Sequence, residues 1–305
     1  MDAHREVDAG GVRAGGEHDM TTARPDISVC IVNWNTREYL DGCLRSLREI
    51  PDEATREVIV VDNASDDASV EMVRDRYPDV QLIANDHNAG FAAGNNQALE
   101  VARGEFKLVL NPDIIVHPWA LDRMLDLLAR RPEAGAVAPR LILPDGQIQA
   151  SCRCFPTPGI VAGEVLGLGR LWPRSRRFGN YRMTWWGYDD ERRVDQPQAS
   201  ALLLRSEALE EVGLFDEEFP IFFNDVDLSK RMADAGWQTW FTPRASMTHF
   251  GGASTSQRRR RMIIESHRSF LRFYEKHYLG RIPNWQYVGT RWLLRASGWL
   301  RSHGR

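Results

Sequence analysis

Residues 106–113 read FKLVLNPD: an apolar run, Phe106–Leu110, that stops abruptly at Asn111-Pro112-Asp113. A short apolar run closed by a turn signal has the pattern of a buried strand. Pro112 lacks a backbone donor, and Asn and Asp favour turns, so the strand ends there with the Asp113 carboxylate at its tip. Two upstream stretches are built the same way. Ile27–Asn33 (ISVCIVN) runs into Trp34-Asn35, and Val58–Val61 (VIVV) runs into Asp62-Asn63-Ala64-Ser65. Val80–Ala84 and Gly135–Leu143 are further strands.

Helical patterns fill the gaps. Thr36–Glu49 places Leu40, Cys43, Leu44 and Leu47 at helical spacing, Pro78 stops a helix over Asp67–Tyr77, and Phe91–Ala102 and Pro118–Arg130 follow. This alternation predicts an α/β fold with a mostly parallel sheet flanked by helices, in which ligands bind at the carboxyl ends of the strands. The clusters Asn33–Asn35, Asp62–Ser65 and Asn111–Asp113 are therefore expected at one cleft.

Beyond residue 143 the period weakens. Pro144-Asp145-Gly146 reads as a hairpin turn. Residues 151–195 mix Gly, Pro, Trp and Arg, as lids and binding loops do. A strand at Ala201–Leu204, a helix near Glu207–Val212, a helix from Asn224 to Ala235 ended by Gly236, and a strand at Trp237–Phe241 come next. The chain closes with a basic helix, Gln257–Tyr278, and an aromatic stretch, Trp285–Leu300. The expected organisation is a disordered leader (1–25), one domain (26–255) divided into halves 26–143 and 144–255, and a basic amphipathic helical tail (256–305).

With 305 residues, 43% of them hydrophobic, the chain can bury a substantial core. The net charge of −3 is unevenly spread. From Arg258 to Arg305 twelve Arg and Lys face only Glu265 and Glu275, a local +10 that leaves −13 elsewhere. An acidic body with a basic tail that seeks an anionic surface follows. Trp285, Tyr287, Trp292 and Trp299 interleaved with Arg291, Arg295 and Arg301 suit a membrane interface; packing on the body or a homodimer contact is the alternative. Nucleic acid is set aside, because no nucleic-acid fold signature accompanies the charge. The basic segment 170–182 (RLWPRSRRFGNYR) is expected to close over a diphosphate or meet a phosphate-bearing acceptor. Cys30, Cys43, Cys152 and Cys154 fit neither zinc spacing nor a disulfide framework, which favours a reducing cytoplasm. No run approaches the length of a membrane span and no secretory signal pattern opens the chain, so the expected location is the cytoplasm, peripheral to the inner membrane face.

Five carboxylate and imidazole residues are the candidates for the chemistry. Asp113 could ligate a divalent ion, Mg2+ or Mn2+, that bridges a diphosphate, although Asn-Pro-Asp alone is ordinary turn chemistry. Asp62 lies too far upstream to cap the following helix and is a candidate nucleoside contact. Asp225 and Asp227 stand at a helix start, where they suit the dipole; alternatively, Asp225 is a general base for an attacking hydroxyl. His249 precedes Gly251-Gly252 and could complete a metal shell begun by Asp113.

In order along the chain stand ISVCIVNWN (27–35), VVDNASD (60–66), NAGFAAGNN (88–96), LVLNPD (108–113), VGLFD (212–216), FFNDVDL (222–228) and HFGGAS (249–254). This series resembles the family 2 glycosyltransferases, most of all the bacterial rhamnosyltransferase branch, over roughly residues 27–275. The resemblance implies a GT-A fold with a donor half and an acceptor half. It implies an inverting transfer from a nucleotide-diphosphate sugar, dTDP-rhamnose or a UDP-sugar, to a saccharide or polyprenyl-linked acceptor in cell-surface polysaccharide synthesis. Asp113 and His249 would hold the metal and Asp225 would be the base. Asn33, Asn35, Asp62, Asn63, Asn95 and Asn111 would line the donor pocket, and Asn224 and Asp227 would meet the acceptor. Asn224 stands where Glu is usual, and Ala199-Ser200 where Gly-Ala is usual. A nucleotidyltransferase, or a nucleotide-sugar binder with impaired catalysis, is the rival reading.

Overall fold

The computed structural model describes residues 24–251 and 259–303. Most of the expected leader, and the Gly252–Arg258 segment with part of the glycine motif, lie outside the described residues. The first half runs β1 (Ile27–Asn33), α1 (Arg37–Glu49), β2 (Arg56–Asp62), α2 (Ser69–Arg76), β3 (Gln81–Ala84), α3 (Phe91–Val101), β4 (Phe106–Leu110), β5 (Ile114–Val116), α4 (Ala120–Arg130) and β6 (Ala134–Ile142). The second runs β7 (Cys152–Arg153), α5 (Pro158–Val165), α6 (Leu168–Leu171), β8 (Arg192–Val194), β9 (Gln196–Pro197), β10 (Ala201–Arg205), α7 (Ser206–Val212), α8 (Asn224–Asp234), β11 (Gln238–His249), α9 (Arg259–Tyr278) and α10 (Asn284–His303).

Nine strands form one sheet in the order β3-β2-β1-β4-β10-β6-β11-β5, with β8 beside β11. β3, β2, β1 and β4 are parallel; β10 enters antiparallel between β4 and β6 and ties the two parts of the sheet together. Successive residues of the central strands feed opposite faces. Val29, Ile31, Leu108 and Leu110 pack under α1, α2 and α4, while Cys30, Ile59, Val61 and Val109 pack under α3, α7 and α8. Both faces being covered is why these strands read as unbroken apolar runs. The small residues of α3 also have a purpose: a Cβ on Gly94 would sit 2.9 Å from Val32 Cγ1, so the helix lies directly on β1.

Three elements differ from the sequence reading. β11 does not end at Phe241 but continues to His249, absorbing Pro243 as an irregularity between Thr242 and Ser246; a bulge spares the sheet the donor that proline lacks. β5 is too short to show a period, and exists because β11 pairs with it. The segment 151–195 is not a bare loop: it carries β7, α5, α6 and β8, and packs Trp186 and Tyr188 on Phe241. The basic tail packs on the body through one aromatic face, with Phe273, Tyr274, Tyr278, Tyr287 and Leu294 joining Phe219, Val226 and Val161 in a third cluster.

Candidate active site

The carboxyl ends of β1, β2 and β4 open on a cleft of ≈ 340 Å³ whose wall includes Trp34, Asn63, Asn111, Asp113, Asn224 and Asp225. Two pairings assemble it. β10 runs against β4 with Ala201 opposite Leu110, and the Asn111 N–H donates to the Ser200 carbonyl at 2.8 Å. That sets Ala199-Ser200 beside the Asn-Pro-Asp turn. The Ala199 N–H in turn reaches Asp225 Oδ2 at 3.4 Å, so the start of α8 faces the end of β4. Meanwhile β11 runs against β5 with His249 opposite Ile114, and the Phe250 N–H donates to the Asp113 carbonyl at 3.0 Å.

Asp113 and His249 are thereby brought together from positions far apart in sequence. His249 Nε2 lies 3.4 Å from Asp113 Oδ1, and both side chains are buried. His249 Nδ1 lies 2.7 Å from the side-chain oxygen of Gln149. An amide oxygen only accepts, so Nδ1 donates in this contact, and Nε2 is the ring nitrogen turned toward Asp113. Metal–ligand bonds of about 2.0–2.2 Å leave adjacent ligands about 3 Å apart. The pair therefore fits one divalent cation. Among the described residues no third His, Cys, Asp or Glu joins them, which suits an ion whose remaining positions go to phosphate oxygens and water.

Asp225 is partly open to the cleft. Burial raises its carboxyl above the usual carboxylate range, and the Val226 and Ala199 N–H groups and the Arg153 charge offset only part of that rise. A carboxylate of raised basicity that faces the cleft can take a proton from a bound hydroxyl.

Several expected site residues hold the cleft rather than line it. Asp62 is buried; it accepts from Asn33 Nδ2 and from the Ser65 N–H and hydroxyl, each at 2.8 Å, which clamps the ends of β1 and β2. It does not cap α2, which begins only at Ser69; it closes the turn at Ser65 instead. Asn33 is fully buried between Asp62 and Thr36. Asn35 turns its oxygen to the Asp66 N–H, and Asn95 donates to the Phe91 carbonyl within α3. Asn224 belongs to the wall itself, with its side-chain amide donating to the Phe219 carbonyl at 3.1 Å. The usual Glu is thus replaced by a group that closes the turn ahead of α8 and leaves Asp225 in the cleft.

Asp227 is the clearest correction. Its carboxylate is fully buried and engaged by Arg231 at 2.8 Å, Lys276 at 2.8 Å and His277 at 2.7 Å. Burial would raise it, but these three donors outweigh burial and hold it at about 2. It fastens α9 to α8 and is not part of the cleft wall. The basic segment 170–182 is also absent from the cleft wall: Arg182 pairs with Glu164, while Arg176 and Arg177 lie over Trp185 and Phe178. Trp34, Gln198 and Gln149 were missed; single polar or aromatic residues in loops carry no periodic signal.

The family model described as glycosyl transferase family 2 matches residues 28–148. The N-acetylglucosaminyl-diphospho-decaprenol L-rhamnosyltransferase of Mycobacterium tuberculosis is 32% identical over 288 residues, 91% of this chain and 92% of that one. The O-antigen biosynthesis protein RfbC of Myxococcus xanthus is 31% identical over 207 residues, 65% of this chain and 15% of that one. A mannosyltransferase of Pyrobaculum calidifontis, solved with GDP-Man and Mn2+, superposes with a TM-score of 0.56 at 17% identity, covering 93% of this chain and 77% of that one. At such identity the likeness establishes the fold, GT-A.

Proposed function

The chain belongs to glycosyl transferase family 2 and is a glycosyltransferase, and from that premise we propose that it moves rhamnose, with inversion, from a nucleoside-diphosphate donor such as dTDP-rhamnose to a polyprenyl-diphosphate-linked saccharide during cell-surface polysaccharide synthesis. One observation carries this reading: a single cleft is lined by Asp113, backed by His249, and by the partly open Asp225. Asp113 and His249 would hold Mg2+ or Mn2+, whose charge would stabilise a departing diphosphate. Asp225 takes the proton of the acceptor hydroxyl. Trp34, Asn63 and Asn111 line the donor side of the cleft, and Asn33 and Asp62 brace that side from behind. A nucleotidyltransferase is set aside with the family. Impaired catalysis is not favoured, because Asn224 turns inward and Asp225 stays in the cleft.

The test is a panel of nucleotide sugars offered with Mg2+ or Mn2+ and a polyprenyl-diphosphate N-acetylglucosamine acceptor. Release of nucleoside diphosphate is expected from dTDP-rhamnose in preference to the others, and it should stop when the ion is chelated. Turnover with no donor would leave a binder; turnover indifferent to chelation would remove the metal from the mechanism.

A membrane-peripheral setting is part of the same proposal. No helix among the described residues is long and apolar enough to cross a membrane. α10, however, has two faces. Tyr287, Thr290 and Leu294 are buried, while Trp285 is 75% and Trp292 70% exposed, with Val288 between them. α5 packs against α10, and the segment after it exposes Leu166, Leu171 and Trp172 beside Arg170, Arg174, Arg176 and Arg177. No Asp or Glu lies between Glu164 and Asp189, or after Glu275. Aromatics and arginines without acids match an anionic lipid interface. The full chain is expected to sediment with phosphatidylglycerol vesicles and not with neutral ones. Trp285→Ser with Trp292→Ser should weaken that binding by about tenfold or more. Unchanged binding by the double variant would defeat the idea, and a dimer sealed by this face would replace it.

A further inference from the structure

Beyond its contact with His249, Gln149 has been given no role, yet it bridges that imidazole to Gln198 in the cleft wall. Its position comes from the hairpin after β6. Gly146 adopts φ +84, its N–H donates to the Leu143 carbonyl at 2.8 Å, and the Gln149 N–H returns to the Leu141 carbonyl at 2.9 Å. The turn thus lays Gln149 back along β6, beside the end of β11 that carries His249. Its side-chain oxygen lies 2.7 Å from His249 Nδ1, and its side-chain nitrogen donates to Gln198 Oε1 at 3.2 Å. Gln198 lines the cleft and directly precedes Ala199, whose N–H meets Asp225.

We infer that Gln149 is a positioning residue: it fixes the His249 imidazole as the tautomer whose Nε2 can join Asp113 on a divalent cation, and it ties that imidazole to Gln198 in the cleft wall between β9 and β10. The inference rests on the proposed metal role of Asp113 and His249. The chemistry is specific. Only an acceptor at Nδ1 holds the proton there; a ring without that partner is free to turn or to protonate at Nε2, which removes the lone pair. Partners that orient a ligating histidine typically change metal affinity by 10–100-fold when lost.

The experiment titrates Mn2+ into the full chain in the presence of dTDP and follows free Mn2+ by electron paramagnetic resonance, so that no turnover is needed. Gln149→Leu is expected to weaken Mn2+ binding by roughly 10–100-fold, with thermal stability close to the parent because Gln149 is partly solvent-exposed. Gln149→Glu, which keeps an acceptor at Nδ1, should restore most of the affinity. If Gln149 acts through His249, the His249→Ala, Gln149→Leu double variant should bind Mn2+ no worse than His249→Ala alone. Parent-like Mn2+ affinity in Gln149→Leu overturns the inference, as does a double variant whose losses add. Should Gln149→Leu fail to fold, Gln149→Glu decides: a tenfold loss with an intact fold defeats the tautomer role. A parent chain that binds no Mn2+ fails the metal reading itself, a result distinct from any of these.

Discussion

Asp225→Asn is expected to lower kcat by roughly 10²–10⁴-fold, the share that a positioned general base supplies, with donor KM nearly unchanged. The side chain is isosteric, and its oxygen can still accept the Val226 N–H, now 2.9 Å from Asp225 Oδ1. The weaker contact to Ala199, at 3.4 Å, is the one lost. Fold and cleft should therefore survive while the proton acceptor disappears, and Asn224 and Asp227, whose side chains are buried and engaged elsewhere, cannot replace it. The pH profile offers an independent check. Burial raises the Asp225 carboxyl, and the base works only when ionised. Activity should thus fall as pH drops through a value above the ordinary carboxylate range, and this acid limb should vanish in the variant's residual rate. Single-turnover transfer at saturating donor is the measurement. A variant that keeps near-parent turnover would sink the assignment.

Asp227→Ala should destabilise the chain by about 3–5 kcal/mol, the usual cost of removing one partner from a buried ion pair. The physical reason is what stays behind: His277 is buried, and Lys276 and Arg231 lose their shared anion, although Lys276 keeps Asp216 and Arg231 keeps the Val212, Gly213 and Leu214 carbonyls. Urea unfolding of parent and variant at neutral pH gives the difference directly. The sign of the pH dependence follows from the carboxyl's position. It sits at about 2 in the fold against 3.8 ordinarily, so its contribution is fully present above 3.8 and is lost as pH falls toward 2. The gap corresponds to roughly 2–3 kcal/mol. The parent should lose that stability across the window and the variant should not. Equal stability at neutral pH would mean that Asp227 does not fasten the tail.

The first half of the chain was legible in the sequence because its strands are covered on both faces. Ile27–Asn33, Val58–Val61 and Phe106–Leu110 cannot avoid being continuous apolar runs, and polar residues at their ends can only mark the edge where the apolar cover stops. The identities of Asp113, Asp225 and His249 as chemical candidates were legible too, since motif order survives where period does not. Partner choice was not. Whether a carboxylate faces a cleft or a cation depends on which elements the fold packs against it, and that is long-range information. Asp225 and Asp227 stand two residues apart on one helix start; Arg231 reaches Asp227 from the same helix, but only the docking of α9 brings it Lys276 and His277, and only β10 sets Ala199 against Asp225. Asp62 likewise looked free until β1 brought Asn33 to it.

The opening stretch shows the same division. FKLVLNPD determined by itself that a strand ends at Asn111 with a carboxylate at its tip, because apolar burial and turn chemistry are local properties. That this carboxylate meets His249 was decided by tertiary structure alone. β11 had to pass Pro243 through an irregularity and pair with β5 before an imidazole from far along the chain, its tautomer set by Gln149, could stand 3.4 Å from Asp113.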